Sequence, residues 1–347
     1  MQYVALSPDG TLAVGLPYDF RDGLRSSAGP PKPLVVLGVA DRRTLLELDG
    51  GDGFAVPCCF NPQGDLLACR RGDGVVLVEL SSGKEVLKVA PCQARELAFS
   101  PDGRRLAVAE ADKGLSIRVL SAVSGADLCR IAGHRGPVND MVFSSDGNVL
   151  VSASTDTTAL AWSLAGLDDA PAAAPSEKKL EDLWDEMASD DGAKAFAATR
   201  AMAAAKDKAV PFLADRLRPL ECDANRVRAQ VGQLGDSKYA VRQSASDELR
   251  KLADAAEPLL REELKAARDE ETRQRLRELL ESVESPKAAT PAVLRKARAV
   301  GGLERIGGAE AKAALEAASR QAAPAWVRAG AQAAMDRLAG NAGEQRK

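Results

Sequence analysis

The sequence predicts a multidomain β + α chain: about four blades of a partial β-propeller, followed by an α-helical repeat region. Three observations carry this expectation. A short Gly-terminated turn recurs through the first half at close to blade spacing. Each such turn leads into a short apolar strand. Beyond Leu164 the composition changes abruptly to Ala, Leu, Glu, Lys and Arg with helical periodicity.

The turns set the frame. LSPDG ends at Gly10, FNPQG at Gly64, FSPDG at Gly103 and FSSDG at Gly147. The last two spacings are 39 and 44 residues, the length of one four-stranded blade. The first spacing is 54 residues, and the stretch from Pro17 to Pro33 supplies the insertion. The strands that follow read TLAVGL, DLLAC, RRLAVA and NVLVSAS. Second hairpins close around Gly83 and Gly125, where Gly, Ser and Asp provide positive φ or side-chain-capped turns.

The segment from Gly133 to Leu164, GHRGPVNDMVFSSDGNVLVSASTDTTALAWSL, resembles a WD40 repeat over its whole length. The resemblance implies a structural tetrad of His134, Ser152, Asp156 and Trp162 bonded in series, which stabilises only if every member is satisfied. The other three repeats depart from it. They hold Leu37, Val78 and Leu120 at the Trp position and Gly15, Cys69 and Val108 at the Ser position, so apolar packing is expected to hold them. A partial WD40-type β-propeller of about four blades follows. The chain begins on what should be an innermost strand, and no outer strand is evident after Trp162. Self-association through open propeller edges is therefore expected. Three arrangements stay open: the C-terminal part of a larger propeller, a compact four-blade unit, and two chains completing an eight-blade ring.

In the second half, Val241, Ala245, Leu249 and Leu252 share one helix face, and so do Leu276, Leu279, Leu280 and Val283. Gly235, Gly301–Gly302, Gly307–Gly308 and Pro324 read as helix breaks. KYAVRQSASDEL and AWVRAGAQAAMDRL share V-R-x-x-A, with Val241 and Val327 86 residues apart, or two repeats of about 43. This resembles HEAT-like helical pairs, with an irregular helical bundle as the alternative. The resemblance implies that Arg242 and Arg328 bond to an acidic residue or a neighbouring turn. The whole arrangement is similar to bacterial proteins in which a WD40 region precedes a helical tail opening on a Leu-Trp motif, here Leu180 to Met202. The expected organisation is blades over 1–165, an Ala/Pro/Asp linker over 166–176, a HEAT-like domain over 177–340 and a disordered tail over 341–347.

Composition excludes several functions. The net charge is −3, and no basic excess points to nucleic acid or an anionic membrane. No apolar run approaches the roughly 20 residues of a membrane span. No export signal is evident, which favours the cytoplasm without fixing the localisation. Of six cysteines, none forms a metal-like C-x-x-C pair, and most should be small apolar residues on buried strands. His134 is the sole histidine, so no multi-His metal site can form, and a Ser/His/Asp arrangement would need it as base. SGKE at Ser82–Glu85 sits in a blade turn and is not a phosphate loop. Acidic pairs such as Asp168–Asp169 and Asp190–Asp191 read as linker or helix-capping residues. No catalytic, cofactor-binding or metal-binding residue is expected. The candidate partner-binding loop is the Pro17–Pro33 insertion, with Tyr18, Phe20, Arg21 and Arg25 as contact residues. The expected function is a non-catalytic scaffold for other proteins. The alternatives are a regulatory or sensory appendage of a larger signalling polypeptide and, third, a carboxylate-based hydrolase.

Overall fold

The computed structural model describes residues 2–16, 33–40, 42–48, 57–72, 74–89, 93–110, 115–167, 179–218, 223–284, 291–321 and 325–344. The chain divides into two compact units, one of Met1–Ser176 with Asp191–Ala197 and one of Glu177–Asp190 with Ala198–Lys347.

The first unit is a set of four antiparallel sheets. Three have four strands in sequence order: β1 (Gln2–Leu6), β2 (Leu12–Leu16), β3 (Leu34–Gly38) and β4 (Thr44–Leu48); β5 (Cys58–Phe60), β6 (Leu66–Arg71), β7 (Gly74–Glu79) and β8 (Lys84–Val89); β9 (Ala94–Phe99), β10 (Arg105–Glu110), β11 (Ile117–Ser121) and β12 (Asp127–Ile131). The fourth has three strands among the described residues: β13 (Val138–Phe143), β14 (Val149–Ser154) and β15 (Ala159–Ser163). The first strands of successive sheets are neighbours, β1 with β5, β5 with β9 and β9 with β13. This is the partial propeller, and among the described residues no comparable contact returns from β13 to β1.

One local device builds each blade. Between its first two strands the chain turns on a Ser, an Asp and a Gly. The Ser7 hydroxyl donates to Asp9 at 2.6 Å and accepts from the Leu12 backbone N–H at 2.8 Å. Ser100 and Ser144 repeat both bonds in blades three and four. In blade two Asn61 and Gln63 replace the serine and the aspartate, and the Asn61 side-chain oxygen accepts from Leu66 N–H at 2.8 Å. The closing Gly10, Gly64, Gly103 and Gly147 have φ of 68°, 69°, 68° and 71°, a region that favours glycine.

The blades then stack face on face. Strands β7 and β11 are buried at every position, because both faces of their sheets are covered. One face of blade two (Phe60, Leu67, Val76, Val78) packs on Val14, Leu34 and Val36 of blade one. Its other face (Leu66, Ala68, Val75, Leu77) packs on Leu97, Leu106 and Leu120 of blade three. Phe196, on the Asp191–Ala197 stretch, joins this second cluster. Blade three is not held by apolar packing alone. Glu110 and Arg118 are 5% and 4% exposed, and their charges are matched internally. Glu110 accepts from Ser116 at 2.5 Å and pairs with Arg118 and Arg130, while Arg118 reaches Asp127 at 2.6 Å. A buried charge needs such partners.

The second unit is helical: α1 (Leu180–Glu186), α2 (Gly192–Ala204), α3 (Ala209–Arg216), α4 (Ala224–Gln233), α5 (Tyr239–Ala266), α6 (Glu270–Glu284), α7 (Pro291–Ile306), α8 (Gly308–Gln321) and α9 (Ala325–Glu344), with the first turns of α2 counted in the first unit. The Leu-Trp motif lies in its core, with Leu183 and Trp184 3% and 4% exposed. Trp184 meets Phe212 edge-on, and the Arg295 guanidinium lies 4.6 Å from its ring centroid. Gly301 and Gly302 do not break α7, contrary to expectation. Leu303 and Val300 beside them are buried, and that burial offsets the roughly 1 kcal/mol each glycine costs in a helix. Gly307 and Gly308, with φ of 66° and 82°, do separate α7 from α8. Gly235 lies between α4 and α5, and Pro324 is outside the described residues. Helix α9 runs to Glu344, four residues into the expected tail, since no Pro interrupts it.

The two V-R-x-x-A segments use their arginines differently. Arg242 donates to the carbonyls of Asp236 at 2.8 Å and Ser237 at 3.1 Å, tying α5 to the turn before it. Arg328 on α9 donates to Glu257 on α5 at 2.8 Å, and Arg261 reaches the same carboxylate. Glu257 is fully buried. Burial pushes its carboxyl up, but the Arg328 and Arg261 bonds outweigh this and hold it below the usual glutamate range. Replacing Glu257 with Ala leaves two guanidinium groups without their buried partner. It should destabilise the helical unit by about 3 kcal/mol, as when a buried pair loses one member. Urea melts followed at 222 nm would check this; an unchanged midpoint would show that the pair contributes nothing.

Candidate functional site

The fourth blade gathers the polar residues that the first three sheets lack at equivalent positions. Register places Trp162 opposite Leu150, as Leu37, Val78 and Leu120 lie opposite Ala13, Leu67 and Leu106. Ser152 lies opposite Met141, as Cys69 and Val108 lie opposite Cys58 and Leu97.

His134, Ser152, Asp156 and Trp162 come together. The Trp162 indole N–H donates to the Ser152 hydroxyl oxygen at 2.8 Å. Ser152 Oγ lies 2.8 Å from His134 Nε2, and His134 Nδ1 lies 3.3 Å from Asp156 and 3.0 Å from the Thr158 hydroxyl. One proton arrangement satisfies every member. The indole N–H donates to Ser152, the Ser152 hydroxyl donates to Nε2, and Nδ1–H points at Asp156 and Thr158. Ser152 is 1% exposed and His134 8%. Trp162 is only half-buried, its ring edge-on to the imidazole at 6.0 Å. The glycine before the histidine is required by close approach, since a Cβ on Gly133 would sit 2.7 Å from the Trp162 ring.

Asp156 anchors the far end. Its carboxyl is held well below the usual range, first by the Thr158 hydroxyl and then by the Arg135 backbone N–H at 2.6 Å. Thr158 is therefore a fifth member of the network that the sequence reading missed. Its signal is the D-x-T spacing, in which both its hydroxyl and its N–H bond Asp156 Oδ1. The sequence reading also missed the Glu110–Arg118 cluster. Chemically the arrangement is closed: both imidazole nitrogens are engaged inside the sheet, and neither points at a cleft.

Tyr18, Phe20, Arg21 and Arg25 lie outside the described residues. Four cysteines are described, all with free thiols: Cys58 and Cys69 buried, Cys59 and Cys129 half-buried. Burial pushes the Cys69 thiol up to about 12, so it stays protonated. Among the described residues no three His, Cys, Asp or Glu side chains gather as metal ligands, and no helix is long and apolar enough to cross a membrane.

A family profile for the anaphase-promoting complex subunit 4 WD40 domain matches residues 58–146. The chain is 38% identical over 68 residues to a periodic tryptophan protein 2 homolog of Neurospora crassa, covering 20% of this chain and 8% of that protein. It is 31% identical over 111 residues to transducin beta-like protein 3 of Bos taurus, covering 31% and 14%. It is 39% identical over 70 residues to periodic tryptophan protein 2 of Saccharomyces cerevisiae, covering 20% and 8%. The similarity thus spans a small part of each relative's length.

Two variants separate packing from hydrogen bonding. Trp162→Ala removes a half-buried ring and a donor, and should lower stability by roughly 2–4 kcal/mol. Trp162→Phe keeps most of the ring and should lose only about 1 kcal/mol. A Trp162→Phe melt equal to that of the parent would show that the indole N–H contributes nothing.

A pH series tests the other end. Because the folded pKa of Asp156 is depressed, its stabilisation is present above the unfolded value of about 4 and is lost as pH falls below it. Asp146, drawn down to about 2 by Ser144 and Asn148, acts in the same sense. The melting temperature should fall from pH 5 to pH 3, and Asp156→Asn should reduce that slope. An identical slope in the variant would contradict the assignment.

Proposed function

We propose that this WD40-repeat protein is a non-catalytic protein–protein interaction scaffold, with blades over 1–165 and HEAT-like helical pairs over 177–340. One observation carries the reading: the sole histidine has both ring nitrogens engaged within a sheet, so no general base is left for nucleophilic chemistry that depends on histidine. The matched profile is that of a subunit of a multiprotein complex, which fits a scaffold. The HEAT-like label is supported by Arg242 on its own turn and Arg328 on Glu257. The bacterial kinship rests on the Leu180–Met202 opening with its buried Leu183–Trp184 pair.

The partners are other proteins, not nucleic acid, since the net charge is −3. Tyr18, Phe20, Arg21 and Arg25 are the contact set, because Tyr and Arg dominate interface hot spots. Affinity capture from lysate with the whole chain tests this. The quadruple alanine variant should lose the captured proteins while its melt stays unchanged. Equal capture by the variant would discard the loop, and saturable hydrolysis of a model ester, peptide or glycoside by the purified chain would overturn the scaffold reading.

A further inference from the structure

Blade two carries two sulfurs where its first two strands face each other. Register pairs Cys58 on β5 with Cys69 on β6, the one cysteine pair in cross-strand register among the described residues. Cys59 lies opposite Ala68, and Cys129 opposite Val119. The backbone hydrogen bonds fix the kind of pair. The Arg70 N–H donates to the Pro57 carbonyl at 3.2 Å, and the Asn61 N–H donates to the Leu66 carbonyl at 3.0 Å. Those are hydrogen-bonded pairs. Cys58 and Cys69, one step along from Pro57 and Arg70, therefore form a non-hydrogen-bonded pair. Such partners hold their Cα atoms about 4.5 Å apart, with their side chains close together on one face. That spacing lies within the roughly 4.4–6.8 Å over which a disulfide closes. Both thiols are free, and both sit in the cluster that joins blade two to blade one. The Cys58 thiol is pushed up by burial and then by its neighbour Cys69.

We propose that Cys58 and Cys69 are a reversible oxidation site, which closes to a disulfide and staples β5 to β6 when the chain meets a peroxide. The step balances. One thiol gives up its proton, and its sulfur attacks a peroxide oxygen. The O–O bond breaks, leaving a sulfenic acid and one water. The second sulfur attacks the sulfenic sulfur, the S–S bond forms, and the hydroxyl leaves with the second thiol's proton as another water. The two thiols lose two electrons and two protons, and hydrogen peroxide becomes two waters. The position suits a staple. Cys69 stands in blade two where Ser152 stands in blade four, and there the Ser152 hydroxyl ties His134 to Trp162. Blade two holds Val78 at the Trp position, and the disulfide supplies a covalent tie in place of that network. Access comes through β5. It pairs at three positions only, and Pro57 at its start has no N–H to donate. The Cys58 end of the hairpin is thus the easier end to open to a molecule as small as hydrogen peroxide. Until it opens, burial keeps both thiols protonated, with the Cys69 thiol pushed up to about 12, so oxidation is slow. Cys59 faces the other side of the sheet and has no sulfur opposite. The proposal stands independently of the scaffold reading.

Peptide mapping of the whole chain tests it. The reduced chain is held for a day in millimolar hydrogen peroxide, and free thiols are then blocked with iodoacetamide in denaturant. Trypsin with a protease that cuts before aspartate severs the chain at Asp65, so Cys58 and Cys69 fall on separate peptides, 52–64 and 65–70. Mass spectrometry should find these two peptides joined and lighter than their sum by two hydrogens. Dithiothreitol should release them. Peptide 52–64 also carries Cys59, so Cys59→Ala leaves Cys58 as its one cysteine, and the joined pair should form as in the parent. The Cys59→Ala result assigns the link without any change to the two buried thiols. Cys69→Ser, which places there the residue of blade four, should lose the joined pair. Thiols that all remain open to iodoacetamide, a link that vanishes in Cys59→Ala, a bond between Cys58 and Cys59, or sulfinic acid in place of the joined peptides would each overturn the proposal.

Discussion

The first unit depends on one constraint: a sheet with two apolar faces must be covered on both. Strand β7 reads GVVLVE and β11 reads IRVLS, and every residue of both is buried. Such strands do not alternate between core and solvent, so a single sheet of this kind cannot stand in water. Stacking against the sheets before and after solves the problem, and repetition of the blade follows from it. The turns make the repetition cheap. Each Ser or Asn turn satisfies a backbone donor of its own hairpin locally.

In blades three and four, polar residues enter this stack together with their partners. In blade four the indole, hydroxyl, imidazole and carboxylate bond in series, and Thr158 completes the end. In blade three Glu110 and Arg118 occupy the interior with Ser116, Arg130 and Asp127 around them. Blades one and two hold Leu37 and Val78 where Trp162 stands, buried at 7% and 1% exposure. The helical unit repeats the rule, with Glu257 buried between Arg261 and Arg328. Buried polar groups without partners would cost about 1–3 kcal/mol each, a large fraction of the stability of a domain.

Much of this was legible in the sequence, for identifiable reasons. The turn glycines announce themselves because positive φ favours glycine, and the four found by pattern have that φ. The tetrad residues were legible because their types and spacing are rare in combination. Glu110 and Arg118 were not, because a charged residue on a strand reads as solvent-facing until both faces are known to be covered. Thr158 was hidden for a similar reason: a threonine in a polar turn carries no sign that its hydroxyl joins Asp156 to the imidazole. In the helical half, the burial of Leu183 and Trp184 shows why the Leu-Trp opening is a packing motif. Gly301–Gly302 misled because glycine pairs end helices only where flanking side chains lack a core to hold them. Tyr18 and Arg25 carry the functional proposal through their residue types alone.

Hydrogen exchange tests the central claim, that cover on both faces holds each blade. Amides of β7 and β11 should be the slowest of the first unit. Those of β15 (Ala159–Ser163), on a sheet with one face open, should exchange orders of magnitude faster. Equal protection of β15 and β7 would contradict the account, because the open face would then carry no penalty.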